Sequence, residues 1–428
     1  MKITLLDVYS KRKECINKDV MAGFGEVTKI GNSIGARFIE SLKKRGIKMP
    51  VLSLACISSI LSQNNHQVDY STNKIPDSDL VIIPSSIVDY KIEIETAKKI
   101  KQNTNAKVGF IGPFASVKPE IYLKQADFVI QGEPEHAISK ISEDIPNGIV
   151  KSKPINNLDR LPYPRWDIFP IKKYSYNPII KSKPFLPILS SRGCSYTCNY
   201  CPYRSYYGEC RQRSISHIIK EIDNLVNKYN IKCLLFRDPL FTFNKKRSID
   251  IANCIIKNKW DIEWACETHP DMLDKKLIDK LHSSGLRSIN IGIESSNEHV
   301  LKTSTRKSAK KEHQERIINY CEKIGVKIVA FYILGLPEDT RETIKETINY
   351  AKRLNTYAAQ FFISTPFPGT EFYEQIKDKI YADWECFDSF TPTFEHKNLT
   401  KNELLKFKES AFLQYYFRFS YLFKNYLR

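Results

Sequence analysis

Residues 191–202 read Ser-Arg-Gly-Cys-Ser-Tyr-Thr-Cys-Asn-Tyr-Cys-Pro, placing Cys194, Cys198 and Cys201 in a C-x3-C-x2-C array on one loop. Three thiolates this close suit a single soft metal centre. They leave one corner of a four-iron cluster without a protein ligand, and an open iron can hold a substrate or cofactor. A four-cysteine site is closed. The alternatives are a zinc loop or three incidental thiols. A zinc loop needs a fourth Cys or His at regular spacing, and only Cys210 stands nearby; it reads as a bystander.

Around this loop, from residue 185 onward, a unit of strand, turn and helix recurs. Strands are expected at Phe185–Leu189, Lys232–Phe236, Ile262–Cys266, Ser288–Ile293, Lys327–Leu334 and Ala358–Ile363. Helices are expected over 216–229, 246–258, 274–284, 308–324, 338–353 and 370–379. In the first helix Ile218, Ile219, Ile222, Leu225, Val226 and Tyr229 make one apolar face. Gly285 and Gly325 stand where a C-cap glycine ends a helix and admits the next strand. Such units build a partial (β/α)6 TIM barrel, whose chemistry sits on the loops after the strands. The cysteine loop follows the first strand. The other strand ends carry Asp238, then Glu267, Thr268 and His269, then Glu294, Ser295 and Ser296, then Gly335, Leu336 and Pro337, then Thr365 to Thr370. A strand-end carboxylate such as Asp238 or Glu294 has a plainer alternative as a helix cap. His269 has one as a satisfied structural imidazole.

Residues 1–145 also alternate strands and helices. Strands are expected at Ile3–Val8, Gln67–Tyr70, Leu80–Ile83, Lys107–Ile111 and, as the last, Asp127–Ile130. Helices are expected at Val51–Gln63, with Leu52, Ala55, Cys56 and Ile60 on one face, and at Ile92–Asn103. Buried strands alternating with helices indicate an α/β, doubly wound parallel sheet of flavodoxin or Rossmann type. Ligands on such sheets bind beyond the strand C-termini, where Ser85-Ser86, Gly112-Pro113-Phe114 and Gly132-Glu133-Pro134 lie. Small residues there let a large flat ligand approach the backbone. Residues 146–183, punctuated by Pro154, Pro162, Pro164 and Pro170 and anchored by Trp166, Phe169 and Tyr174, read as a linker clasping the two domains. The barrel is assigned to 184–380 and a helical C-terminal segment to 381–428. There Thr400 can N-cap a helix holding Leu404, Leu405, Phe407, Ala411 and Phe412.

Composition bounds the rest. The 428 residues are 42% hydrophobic, enough for real cores. No run of about 18 apolar residues appears, so no membrane span is expected, and the N-terminus is too short and polar for a signal peptide. The chain holds 11 cysteines. Cys15, Cys56, Cys233, Cys254, Cys266 and Cys321 mostly lie in apolar segments and read as buried free thiols. Reduced thiols suit a cytoplasmic location. The formal charge of +18 is spread along the chain, and no nucleic-acid-binding module is visible. The basic, aromatic tail QYYFRFSYLFKNYLR is expected to pack under the barrel. Its alternative is peripheral membrane association, with Arg418, Lys424 and Arg428 facing headgroups.

Residues 181–395 resemble the radical S-adenosylmethionine (SAM) superfamily, and the whole chain resembles its subfamily with a cobalamin-binding domain, the class B radical SAM methyltransferases. The likeness rests on the cysteine loop, Gly-Ile-Glu-Ser at 292–295, Leu-Gly-Leu-Pro at 334–337 and Cys266-Glu267-Thr268-x-Pro270-Asp271. In the last, His269 stands where arginine is common. The resemblance implies a [4Fe-4S] cluster on Cys194, Cys198 and Cys201, with SAM chelating the fourth iron. Tyr200 would then pack on the adenine, Glu294 would bond the ribose with Ser296 beside it, and Gly335, Leu336 and Pro337 would line the adenine. Asp238, Glu267 and His269 are the candidate catalytic groups. In the N-terminal domain the resembling stretches are Met49-Pro50 with Leu54-Ala55, Gly112-Pro113, and Ala126 to Glu133. They imply cobalamin on Ser85, Ser86, Gly112, Pro113, Phe114, Gly132 and Glu133. The D-x-H-x-x-G motif is absent and neither His66 nor His136 fits it, so no histidine on cobalt is expected. A domain that has lost its cofactor is the alternative.

The implied activity is methylation of an unactivated carbon through a 5′-deoxyadenosyl radical, with methyl drawn from cobalamin and a second SAM restoring it. Its partners would be a small-molecule, lipid or secondary-metabolite substrate and an electron donor such as flavodoxin or ferredoxin. One competitor is a radical SAM enzyme of the same architecture catalysing a non-methylating cyclisation or oxidation. Another is a methylthiotransferase, but that family adds three cluster cysteines in its N-terminal domain, where this chain has only Cys15 and Cys56.

Overall fold

The computed structural model describes every residue except 12–14, 143 and 427–428. The Cys15 side chain, expected as a buried thiol, and Arg428 of the tail lie outside the described residues. In the first half, β1 (Lys2–Asp7), β2 (Gln67–Thr72), β3 (Leu80–Pro84), β4 (Lys107–Ile111), β5 (Phe128–Gln131) and β6 (Gly148–Lys151) form a 6-stranded sheet, ordered β2-β1-β3-β4-β5-β6. All its pairings are parallel. β3 is buried throughout, as a strand covered on both faces must be. The order reverses at β1, so the crevice beyond the β1 and β3 ends is the ligand position of such a sheet.

Two sequence expectations are corrected here. The strand at 127–130 is not the last, and the domain does not end at 145: β6 extends the sheet to Lys151. It is a half-exposed edge strand, so it lacks the apolar run that marks a buried one. The helix Leu52–Gln63 is not one-faced either. Leu52, Leu54, Ala55, Ile57, Ser58, Ile60 and Leu61 are all buried, while Cys56 is only half-buried. The linker covers its outer side: Arg165 N–H donates to Ala55 O at 3.0 Å, Trp166 is fully buried, and the Phe169 ring lies 4.5 Å from that of Tyr70. The sequence reading also missed the hairpin of Cys15–Asn17 with Glu26–Thr28, and the helix Ile34–Gly46. That helix leaves Ile34, Phe38 and Leu42 exposed, so its apolar pattern does not mark its buried face.

The second half is a 6-stranded parallel sheet in sequential order: β7 (Phe185–Ile188), β8 (Cys233–Phe236), β9 (Glu263–Thr268), β10 (Leu286–Glu294), β11 (Lys327–Leu334) and β12 (Ala358–Ile363). Helices follow the strands as expected, at Ile215–Tyr229, Lys245–Lys257, Lys275–Ser283, Lys311–Lys323, Arg341–Leu354 and Glu371–Ile376. Cys233, Cys266 and Cys321 are buried as expected, whereas Cys254 is half-buried.

The tail packs against the barrel, as expected, with Phe412 and Tyr415 fully buried. Thr400 caps the helix Lys401–Tyr416 through a reciprocal bond with Glu403. This helix runs along β12, with Phe412 and Tyr415 5.4 and 6.0 Å from Phe361, and Tyr415 Oη donates to Thr356 O at 2.6 Å just before the strand begins. A second helix, Phe419–Tyr426, follows. Arg418 donates to Tyr415 O at 2.6 Å and Lys424 to Asn355 O at 2.5 Å, so both cations are tied into the fold instead of facing headgroups. No described helix is long and apolar enough to cross a membrane.

Candidate active site between the two sheets

The cysteine loop is pinned at its base. Asp238, after β8, is fully buried and accepts from Ser190 N–H at 3.0 Å, Ser190 Oγ at 2.8 Å and Ser191 Oγ. Arg247 donates to Ser190 Oγ at 2.9 Å and Ser190 O at 2.7 Å. Asp238 therefore holds the loop. Gly193 turns the chain with φ +81°, and a Cβ there would fall 2.1 Å from Glu209 O. Only glycine admits this crossing.

The sulfurs meet donors. Tyr196 N–H points to Cys194 Sγ at 3.4 Å and Arg306 to Cys198 Sγ at 3.9 Å. Such donors favour metal-bound thiolates. Burial pushes the Cys201 thiol up to about 12 and raises that of Cys194, and a bound metal deprotonates such thiols outright. Among the described residues, no group of three or more His, Cys, Asp or Glu is placed round a single ion.

At the end of β10, the Glu294 backbone has φ +63°, and the register with β11 shifts between Gly292 and Glu294. A non-glycine residue in this region is uncommon. A Cβ on Gly292 would lie 2.3 Å from Glu294 Oε1, so the glycine makes room for the carboxylate. Arg306 sits 3.5 Å from Glu294 and donates to Gly292 O at 2.8 Å. Burial raises the Glu294 carboxyl, which Arg306 and a hydrogen bond from Tyr200 oppose.

Two adjoining cavities open here. One, of about 300 Å³, runs from the N-terminal sheet to the barrel; Ser85, Gly112, Pro113 and Glu135 line one side and Cys201, Glu267, Glu294 and Arg306 the other. The second, of about 330 Å³, shares Cys201, Glu267, Glu294 and Phe331 and adds Tyr200, Glu26, Lys43, Gln360 and the apolar Val329, Ile333 and Phe362. Arg237 lies on both, ion-paired to Glu267 and 3.8 Å from Asp19. Burial lifts Asp19 to about 6 against the pull of Arg237.

Other expected site residues lie apart from both cavities. His269 is buried; its Nε2 meets Lys307 O at 2.9 Å and its Nδ1 accepts from Asp271 N–H, and burial lowers it to about 3. Ser296 N–H donates to Thr347. Gly335 and Leu336 turn their N–H groups to Asp339 at 2.9 and 3.0 Å, a carboxylate the sequence reading missed. Pro337 follows on the same loop.

The N-terminal loops divide. Ser85, Gly112 and Pro113 face the first cavity, whereas Ser86, Phe114, Gly132 and Glu133 do not. Ser86 bonds Glu93, which also pairs with buried Lys18 at 2.7 Å. Phe114 sits in the core against Tyr90 and Tyr122. Gly132 accepts from Tyr206 through its carbonyl at 2.8 Å. Glu133 receives Arg192 at 2.9 Å and also pairs with Arg211. Asp19, Arg237, Arg306 and Glu135 carried no motif that sequence reasoning could have used; their partners are remote in the chain.

Residues 188–351 match the family model described as the radical SAM superfamily, and the chain carries a radical SAM domain, the core of an enzyme that uses SAM and a [4Fe-4S] cluster. Among curated proteins, an uncharacterized methyltransferase of Pyrococcus horikoshii is 28% identical over 358 residues, 77% of each chain. The anaerobic magnesium-protoporphyrin IX monomethyl ester cyclase of Rubrivivax gelatinosus is 26% identical over 419 residues, 89% of this chain and 74% of that one. Among solved structures, the radical SAM methyltransferase TsrM of Kitasatospora setae, with cobalamin and a [4Fe-4S] cluster bound, superposes with a TM-score of 0.63 at 15% identity, over 88% of this chain and 78% of that one. At that identity the likeness speaks for the fold.

Proposed function

We propose that the chain is a cobalamin-dependent radical SAM methyltransferase acting on a small molecule, with residues 1–151 as the cobalamin-binding domain and 184–380 as the radical SAM barrel. The observation that carries this reading is the single cavity faced by Cys201 and Glu294 from one side and by Ser85, Gly112 and Pro113 from the other. Cys194, Cys198 and Cys201 would ligate the cluster. Together, the cluster and cobalamin supply one-electron cleavage of SAM and a transferable methyl group. The chain's own groups bind and orient. Glu294, held by Arg306, offers an acceptor to the SAM ribose, and Tyr200 borders the same space. The Arg237–Glu267 pair sets a fixed charge at the junction of the cavities. Val329, Phe331, Ile333 and Phe362 give the substrate an apolar wall that keeps water away. Asp238 positions the cysteine loop and His269 fixes the loop after β9, so neither is cast as a proton carrier. A flavodoxin or ferredoxin would deliver the electron.

The cyclase relative, matched over 89% of this chain, favours a second reading in which the same core ends in cyclisation or oxidation. Anaerobic, reduced protein given SAM should release 5′-deoxyadenosine. With methyl-labelled SAM and hydroxocobalamin, label should pass to cobalamin. Release of 5′-deoxyadenosine with no label on cobalamin would select the second reading.

A further inference from the structure

Glu135 opens the short helix after β5 and is 2% exposed. Its Oε1 takes Arg192 Nη2 at 2.5 Å, while its Oε2 is buried without a hydrogen-bond partner. A buried carboxylate oxygen left unpaired is costly. Glu135 and Arg192 both line the 300 Å³ cavity. Arg192 is in turn fixed by Glu133 at 2.9 Å, so the guanidinium spans the two carboxylates and leaves Glu135 little freedom to turn.

We propose that Glu135 is a ligand-contacting carboxylate of this cavity, oriented by Arg192, whose Oε2 accepts an N–H from an amide on the rim of a corrin. Corrin side chains end in primary amides, which donate N–H and carry no charge. A charge-assisted bond from one of them satisfies the oxygen without a second cation. The inference rests on the cobalamin reading above. It assigns a residue that no motif marked, and it explains why Glu133, expected at cobalamin, serves Arg192 instead.

The test uses the full chain with its cluster reconstituted and hydroxocobalamin as probe, followed by visible absorption at equilibrium. Glu135→Gln keeps an oxygen for Arg192 and turns an amide donor toward the cavity. It should weaken binding about tenfold or more, the loss expected of a hydrogen bond to a charged group. Arg192→Lys should stay within about threefold of the parent, and Arg192→Gln should weaken binding. Combining Arg192→Gln with Glu135→Gln should add little beyond the larger single loss, since one acts through the other. Iron content should be unchanged in each, which a merely structural role would not predict. If Glu135→Gln does not fold by its melt, Glu135→Asp, which withdraws the oxygen from the cavity, should show the same loss. Parent-like affinity in whichever of these two folds overturns the inference while leaving the cobalamin reading in place. Absence of hydroxocobalamin binding by the parent chain removes both.

Discussion

The loops after the barrel strands and those after the N-terminal strands belong to the same kind of parallel sheet, yet they use their side chains differently. At the barrel, Tyr200, Cys201, Glu267 and Glu294 face a cavity. At the N-terminal sheet, Ser86, Phe114 and Glu133 turn into the protein. The difference follows from polarity. Reactive chemistry needs charged groups aimed at it, whereas a large flat ligand needs backbone close by and few obstacles, so most polar side chains there are free to brace the fold.

Replacing Cys194, Cys198 and Cys201 together by alanine gives the largest expected effect. Iron should be lost entirely while hydroxocobalamin binding survives, if the two sides are separable as their loops suggest. Equal loss of both would erase the contrast.

Glycine swaps sharpen it further. Gly193→Ala puts a Cβ 2.1 Å from backbone at positive φ, whereas Gly112→Ala meets Ser85 Oγ at 3.0 Å, also at positive φ. The second should cost about 1–3 kcal/mol for the backbone alone, since φ +107° with ψ 173° is a conformation essentially reserved for glycine. The first should cost more, because backbone cannot step aside, and should also lower iron content. Thermal melts with iron assays rank them, and a milder effect at Gly193 would contradict the account.

His269 supplies a pH test. Burial lowers it from 6.5 to about 3. Between those values the unfolded chain holds a proton that the folded chain refuses, so this group makes stability fall as pH drops through 6.5 toward 3. His269→Gln should flatten that acid limb and leave iron content unchanged. An unchanged limb would show that the imidazole is not held neutral by the fold.

The smallest effect is expected at Phe419, which is 75% exposed. Phe419→Ser should move stability by no more than about 0.5 kcal/mol, and the parent should not sediment with anionic liposomes. Sedimentation that Phe419→Ser abolishes would restore the membrane alternative for the tail.

The barrel was legible because its strands are apolar runs, two of them entered through Gly285 and Gly325, and its motifs are local: Gly292 and Glu294 sit two residues apart, and the clash that a Cβ would cause explains the pair. The N-terminal half was less so. The edge strand Gly148–Lys151 is half-exposed, and the helix Ile34–Gly46 turns large apolar residues outward. At the site, Arg306, Arg237 and Glu135 act through partners far away in sequence, a relation that spacing alone does not encode.

The central claim is that one cavity serves a cluster on one sheet and a corrin on the other. Iron and cobalt measured on one anaerobically reconstituted preparation, supplied with hydroxocobalamin and freed of excess, test it most directly. The account predicts about four irons, as in a cubane cluster, and about one cobalt per chain. A full iron complement with no retained cobalt, or cobalt without iron, would contradict it.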